Sequence, residues 1–150
     1  LTIEAARWAR RVIAVDKSKE VLSRARALAT RRKLDNITWK RGDLERLPLA
    51  DASVDVALLS QALHHAEQPA GALAEAWRIL RPGGRLLILD LREHQESWVR
   101  AKLGDRWLGF QDDQFHDLLA AAGFQGIFVR VGARRAGDPF TVLVAGGRKP

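Results

Sequence analysis

Asp16 stands at the end of an unbroken apolar run, Val12-Ile13-Ala14-Val15, and directly ahead of a helical pattern. Such a run reads as a parallel strand buried on both faces. A carboxylate at the carboxyl end of that strand sits where open α/β sheets bind ligands, and it can accept hydrogen bonds from a ribose diol. It can equally cap the helix that follows, which Asp does well. Gly42-Asp43 closes a second strand pattern and Ser60 a third. Three polar strand ends should therefore line one edge of a sheet, where a crevice forms.

Other polar and aromatic residues offer weaker chemistry. His64 and His65 follow the Ser60 strand, where an imidazole could act as a general base near neutral pH or serve a structural purpose. His94 with Glu93 offers two ligands to a substrate or metal, too few for a metal cluster. Trp98, Trp107 and Phe110 either wall a substrate pocket or pack a lid helix. Asp51 and Asp55 read as acceptors for turn and strand-start donors. Gly83 and Gly84 precede a strand and not a helix, which makes them turn glycines and not a phosphate cradle.

The elements that must position these residues are legible in order. Leu1 to Arg10 has the spacing of a helix, with Ile3, Ala6 and Ala9 on one face and Trp8 widening it. Ser18 is a candidate N-cap for a helix running to about Leu34, with Val21, Leu22, Ala25, Leu28 and Ala29 inward. Ile37 to Arg41 alternates and reads as a strand nearer a sheet edge. Val54 to Leu59 is a further buried strand. Pro69 suits the first turn of a helix reaching Leu80, with Leu73, Ala76, Trp77 and Leu80 inward. Arg81-Pro82-Gly83-Gly84 is expected to stop that helix in a return turn before a strand at Arg85 to Asp90. His94 to Phe110 is expected to be irregular. A helix follows from about Asp112 to Ala122, with Phe115, Leu118 and Leu119 inward and Gly123 at its C-terminus. Gln125 to Val131 and Phe140 to Ala145 read as a closing antiparallel pair. Alternating strands and helices imply an α/β chain with a parallel sheet covered on both faces.

Composition narrows the class. With 150 residues the chain is most simply one domain, and 47% hydrophobic with 29% charged residues excludes a disordered one. The absence of Cys excludes disulfides and thiolate metal sites. No apolar run approaches the ~20 residues of a membrane helix, and no signal-peptide pattern opens the chain, so a cytoplasmic setting is expected. The net charge of +7 raises an anionic partner such as RNA. The arginines are scattered, however, and basic and aromatic residues are not interleaved as base-stacking surfaces require. The chain contains no Met and starts at Leu1, so a segment upstream is expected.

The order VIAVD, WKRGDLERLPL, ASVDVALLSQALHH and RILRPGGRLLILD resembles the class I S-adenosylmethionine-dependent methyltransferases. The likeness is to their small-molecule branch, the group containing the ubiquinone-biosynthesis type, and runs from Leu1 to about Asp90. It implies a Rossmann-like, mostly parallel sheet with helices on both faces and an antiparallel C-terminal strand. It also implies that the family's first strand and glycine-rich loop are missing before Leu1, leaving an N-terminally incomplete methyltransferase domain over residues 1–150. The cofactor implied is S-adenosylmethionine. The resemblance assigns Asp16 to the two ribose hydroxyls and Lys17 to the side of the adenine. Asp43 would accept from the adenine amino group, with Leu44 supplying a nearby backbone N–H. Ser60 and Gln61 would approach the methionine end through backbone groups. No catalytic residue and no metal are implied.

The stretch DLREHQESWVRAKLGDRWLGF, Asp90 to Phe110, is similar to methyltransferase domains that follow an arsenic-repressor-type winged helix in some bacterial regulators. It implies a winged-helix DNA-binding domain upstream. Arsenic is not implied as a substrate, since thiolates are its natural ligands and there are none. The expected activity is methyl transfer to a small-molecule acceptor. A methyltransferase-fold regulatory module without methyl transfer and an RNA methyltransferase are the alternatives, and exposed strand edges make a homo-oligomer conceivable.

Overall fold

The computed structural model describes all 150 residues, which fold as two compact units, Leu1–Pro48 and Leu49–Pro150. The first unit contains helix α1 (Thr2–Trp8), strand β1 (Val12–Asp16), helix α2 (Lys19–Arg31) and strand β2 (Ile37–Arg41). β1 and β2 form a two-stranded parallel sheet in which Val12 lies opposite Ile37 and Asp16 opposite Arg41. Ser18 starts α2 as the spacing predicts, its Oγ accepting from the Val21 N–H at 3.2 Å. The Asn36 side chain ties the start of β2 to α1, donating to the carbonyls of Ala6 (2.8 Å) and Ala9 (2.9 Å). Those carbonyls lie at a helix end, where the backbone has no partner of its own.

Burial in this unit departs from expectation. All five β1 residues are half-buried, not covered on both faces. β1 has a partner strand on one side only, and two short layers cannot enclose it. Ala6 and Ala29 are the fully buried apolar residues here, while Val21 and Leu28 remain exposed on α2. Trp8 does not widen an inward face. It is 84% exposed, with its Nε1 donating to Glu4.

The second unit begins with strand β3 (Val54–Ser60) and a single 3-10 turn at Leu63–His65. Helix α3 (Pro69–Ile79), strand β4 (Leu80–Leu91) and helices α4 (Trp98–Leu103) and α5 (Asp112–Ala121) follow, then strands β5 (Gln125–Arg134) and β6 (Thr141–Arg148). Its sheet runs β3-β4-β6-β5. β3 and β4 are parallel, whereas β6 is antiparallel to both β4 and β5. The architecture is thus α/β, with its strands divided between two sheets, and the closing antiparallel pair is found. The core packs Leu73, Ala76 and Ile79 of α3 and Phe115 and Leu119 of α5 with Leu86, Ile88, Leu143 and Ala145 from the strands. Each large side chain so buried contributes about 1.5–3 kcal/mol. Leu86, Ile88 and Asp90 share the buried face of β4, because side chains alternate along a strand. The period that builds the core thus also sends a carboxylate into it.

Three details differ from the sequence reading. Arg81 to Gly84 form a bulge within β4 and not a separate turn, since Leu80 pairs with Val54 and Arg85 with Val56. Gly83 still supplies the left-handed backbone, at φ +79°, and a Cβ on Gly84 would meet the Arg81 carbonyl at 2.8 Å. The stretch expected to be irregular contains α4, which ends at Gly104 with φ +74°. Asp51 and Asp55 accept from arginines, Arg78 at 2.6 Å and Arg81 at 2.7 Å, and not from turn donors. No helix is long and apolar enough to cross a membrane.

Candidate functional site

The parallel pairing of β1 and β2 brings their carboxyl ends together, so Asp16 and Lys17 lie beside Gly42-Asp43. The Gly42 N–H donates to the Asp16 carbonyl at 3.1 Å. Gly42 is required there: a Cβ would stand 2.5 Å from Pro48 Cδ and 3.0 Å from Val15 Cγ1. Asp16 does not cap α2, because Ser18 does. Instead its Oδ1 accepts from the Ser18 N–H at 2.8 Å and fixes the strand-to-helix turn. Oδ2 has no protein partner. Asp43 repeats the pattern, with Oδ1 accepting from the Glu45 N–H at 2.9 Å and Oδ2 3.6 Å from Lys17 Nζ. That ion pair is exposed and adds little stability. Leu44 sits in the turn closed by the Asp43–Arg46 bridge. Asp16, Lys17, Asp43 and Leu44 thus share one end of the first unit, with two carboxylates steadied by backbone amides.

Ser60 and Gln61 belong to the second unit, where they close β3. Gln61 adopts φ +50°, uncommon for a residue with a side chain, and its N–H donates to the Leu89 carbonyl at 2.8 Å. Strain of this kind collects at functional turns. Immediately beyond lies a buried polar cluster. His64 Nδ1 is 2.6 Å from Asp90 Oδ1, and both side chains are almost fully buried. Asp90 also accepts from the backbone N–H of Leu63 (2.9 Å, Oδ2) and Leu91 (2.8 Å, Oδ1). With Asp90 accepting from these amides and from the ring, the N–H of neutral His64 lies on Nδ1. Burial alone would lower the His64 pKa. The hydrogen bond and charge of Asp90, with the charge of Asp105, outweigh it and raise the value above the ordinary one.

The His65 ring lies 4.1 Å from that of His64. Asp105, just after α4, is buried with its Oδ1 3.8 Å from His64 Nε2 and 3.6 Å from His65 Nδ1, and this oxygen has no hydrogen-bond partner. The loop carrying it is fastened by the N–H groups of Arg106 and Trp107, which both donate to the His64 carbonyl at 3.0 Å. Sequence reasoning singled out neither Asp90 nor Asp105 as a site residue. Asp90 carried the same mark as Asp16, an acid ending an apolar strand, whereas Asp105 lies 40 residues from its partners and bears no pattern.

The remaining candidates separate. His94 is buried against the edge of Phe140, 4.9 Å between rings, and burial pushes its pKa down. Its Nδ1 accepts from the Glu96 N–H, while Glu93 is taken by Gln111 at 2.8 Å, so His94 and Glu93 form no joint site. Trp107 and Phe110 pack: Trp107 stacks on Phe110 at 6.1 Å, Phe110 on Phe115 at 5.1 Å, and Trp107 Nε1 donates to the Ala66 carbonyl. Trp98 lies on α4, with Lys102 Nζ 5.7 Å above its ring.

A family model described as a methyltransferase domain matches residues 1–88. An uncharacterised 37.1 kDa protein in transposon Tn4556 of Streptomyces fradiae is 45% identical over 78 residues, 52% of this chain and 22% of that one. The ubiquinone/menaquinone biosynthesis C-methyltransferase UbiE of Rubrivivax gelatinosus is 42% identical over 81 residues, covering 54% and 31% of the two chains. Among solved structures, an S-adenosylmethionine-dependent methyltransferase from Mesorhizobium loti superposes with a TM-score of 0.77 at 22% identity, over 94% of this chain and 81% of that one. That likeness concerns the fold. The chain spans less than half the length of the curated relatives it matches.

Proposed function

The chain belongs to the methyltransferase-domain family of class I S-adenosylmethionine-dependent enzymes, and from that premise we propose that it binds S-adenosylmethionine and directs methyl transfer to a small-molecule acceptor. The observation that carries this reading is the carboxylate of Asp16 at the end of β1, with Oδ1 fixed by Ser18 and Oδ2 unpaired. The donor set of the first unit suits the group. Asp16 would accept from the ribose hydroxyls, Asp43 from the adenine amino group, and Leu44 would offer a backbone N–H. Lys17 would lie beside the adenine. In the second unit, Ser60 and Gln61 would contribute backbone groups at the methionine end. Because the Gln61 N–H is donated to Leu89, its carbonyl is the group left for a ligand.

When bound, this cofactor supplies a methyl group on a sulfonium, whose departure leaves a neutral thioether. The chain's residues need therefore do no more than bind and orient, since proximity and alignment supply much of the acceleration in such transfers. The likeness of the Asp90 to Phe110 stretch to domains that follow winged-helix repressors supports a setting within a cytoplasmic bacterial regulator, acting on a small molecule.

The test is calorimetric titration of the full-length protein with S-adenosylhomocysteine, followed by measurement of S-adenosylhomocysteine release from S-adenosylmethionine with a panel of small acceptors and bulk tRNA. Saturable binding and release with a small acceptor are expected. Binding without release on any acceptor would favour the regulatory module, and release on tRNA alone the RNA enzyme.

A further inference from the structure

We propose that the second unit carries a site for a divalent transition-metal ion, with His64 Nε2, His65 Nδ1 and Asp105 Oδ1 as ligands and Asp90 as the support that orients His64. The three ligand atoms lie within 4.8 Å of one another. Their separations from Asp105, 3.8 Å and 3.6 Å, are too long for hydrogen bonds. They match instead the spacing of atoms that share one ion at about 2.0–2.2 Å each, after small adjustments.

Three further observations point to an ion. The first is the unsatisfied Asp105 carboxylate. Its side chain is 2% exposed, and its Oδ1 has no donor. A buried carboxylate oxygen without a donor is costly, and a cation at the midpoint of the cluster removes that cost. The second is the tautomer of His64. With Nδ1–H directed to Asp90 at 2.6 Å, the lone pair of neutral His64 lies on Nε2, the atom nearest Asp105. A carboxylate behind an imidazole is the recurrent outer shell of histidine-ligated metals, where it fixes the ring and raises ligand basicity. The third is access. The His65 side chain is 35% exposed, so an ion can reach the cluster from solvent and keep water in its remaining positions.

The ligand chemistry narrows the ion. Two imidazoles and one carboxylate suit Zn²⁺, Fe²⁺, Co²⁺ or Ni²⁺, and the chain has no Cys to favour softer ions. Preorganisation is built in at Asp105 and His64, since the Arg106 and Trp107 amides hold the Asp105 loop to the His64 carbonyl. His65 Nδ1 lies 3.4 Å from the Gly104 carbonyl, a long contact at the exposed side of the cluster, and the ion would take the place of its proton. The rival occupant is a second proton on His64, which would place an imidazolium between Asp90 and Asp105. The site shares no residue with the cofactor assignment, which uses Asp16, Lys17, Asp43, Leu44, Ser60 and Gln61.

The experiment uses the whole chain, stripped with chelator and titrated at neutral pH with Co²⁺ under visible absorption, then with Zn²⁺ to displace it. One equivalent is expected, with ligand-field bands that vanish on Zn²⁺ addition. Asp90→Asn should weaken binding about 10- to 100-fold, the usual cost of losing such a support. Asp105→Asn and His65→Ala should weaken it further, and the exposed His116→Ala should leave it unchanged. Thermal melting shows which variants fold, and the half-exposed position of His65 keeps His65→Ala informative if Asp105→Asn does not. Absence of a tight equivalent in the unmodified chain would overturn the proposal and favour the proton. Full affinity in His65→Ala, or loss of binding in His116→Ala, would place the ion elsewhere and overturn it too.

Discussion

Asp16 and Ser18 divide two tasks that one aspartate could have performed. Ser18 caps α2, and Asp16 holds the turn with a single oxygen. The spare oxygen is what makes Asp16 a ligand candidate and not merely a structural one. Asp43 also holds its turn with one oxygen while the other faces Lys17 at 3.6 Å, so its variants should separate acceptor from charge. Asp43→Asn retains an acceptor and should weaken S-adenosylhomocysteine binding mildly, whereas Asp43→Ala should weaken it clearly. Equal losses in a calorimetric titration would make charge or turn the operative property. A buried acid behaves differently. Removing Asp90 in Asp90→Ala leaves the Leu63 and Leu91 amides and the His64 ring without their acceptor inside the core. The expected loss is about 3–5 kcal/mol, as for other buried pairs broken on one side, read from urea unfolding. A loss under about 1 kcal/mol would mean that water replaces the carboxylate. The strand ends at Asp16, Asp43 and Ser60 were legible because an apolar run stopping in a polar residue is a local pattern. Asp105 was not, because only the folding of α4 back toward the 3-10 turn brings it to His64.

Elements were read best where a single residue starts or stops them. Ser18 and Pro69 begin α2 and α3 as their chemistry dictates, and β2 spans the alternation that announces it. The Arg81 to Gly84 segment was harder, because Pro and Gly stop a helix equally well in a turn or in a bulge. Only the pairing of Leu80 with Val54 distinguishes the two. α4 was missed for a related reason: six residues with one buried position, Val99, present no helical stripe. Gly42 shows how an element end is tuned for its site. The chain bends under the Pro48 ring with no room for a methyl group, and that bend sets Asp43 beside the end of β1. Gly42→Ala should therefore cost about 1–3 kcal/mol by overpacking, measured by thermal or urea unfolding. An unchanged stability would show that the Pro48 ring gives way freely.

At the scale of the molecule, the α/β architecture followed from alternating strand and helix patterns, but the degree of burial did not. Val12 to Val15 and Val54 to Leu59 are apolar enough for covered strands, yet β1 is half-buried throughout and Val56 is 61% exposed. Apolar composition states what a strand tolerates, whereas burial depends on neighbours. Here β1 pairs with β2 alone and β3 with β4 alone. Open edges of this kind template pairing with other chains. Residues 1–150 expressed alone should therefore elute from a size-exclusion column as dimers or larger species. A monodisperse monomer with a cooperative melt would show that the two sheets tolerate their open edges. The most direct test of cofactor binding through the first unit compares S-adenosylhomocysteine affinity in the full-length protein and its Asp16→Ala variant by titration calorimetry. A loss of about 1.5–3 kcal/mol is expected, the worth of hydrogen bonds to a charged group. Equal affinities, in a variant that melts like the parent, would contradict the assignment of the ribose to Asp16.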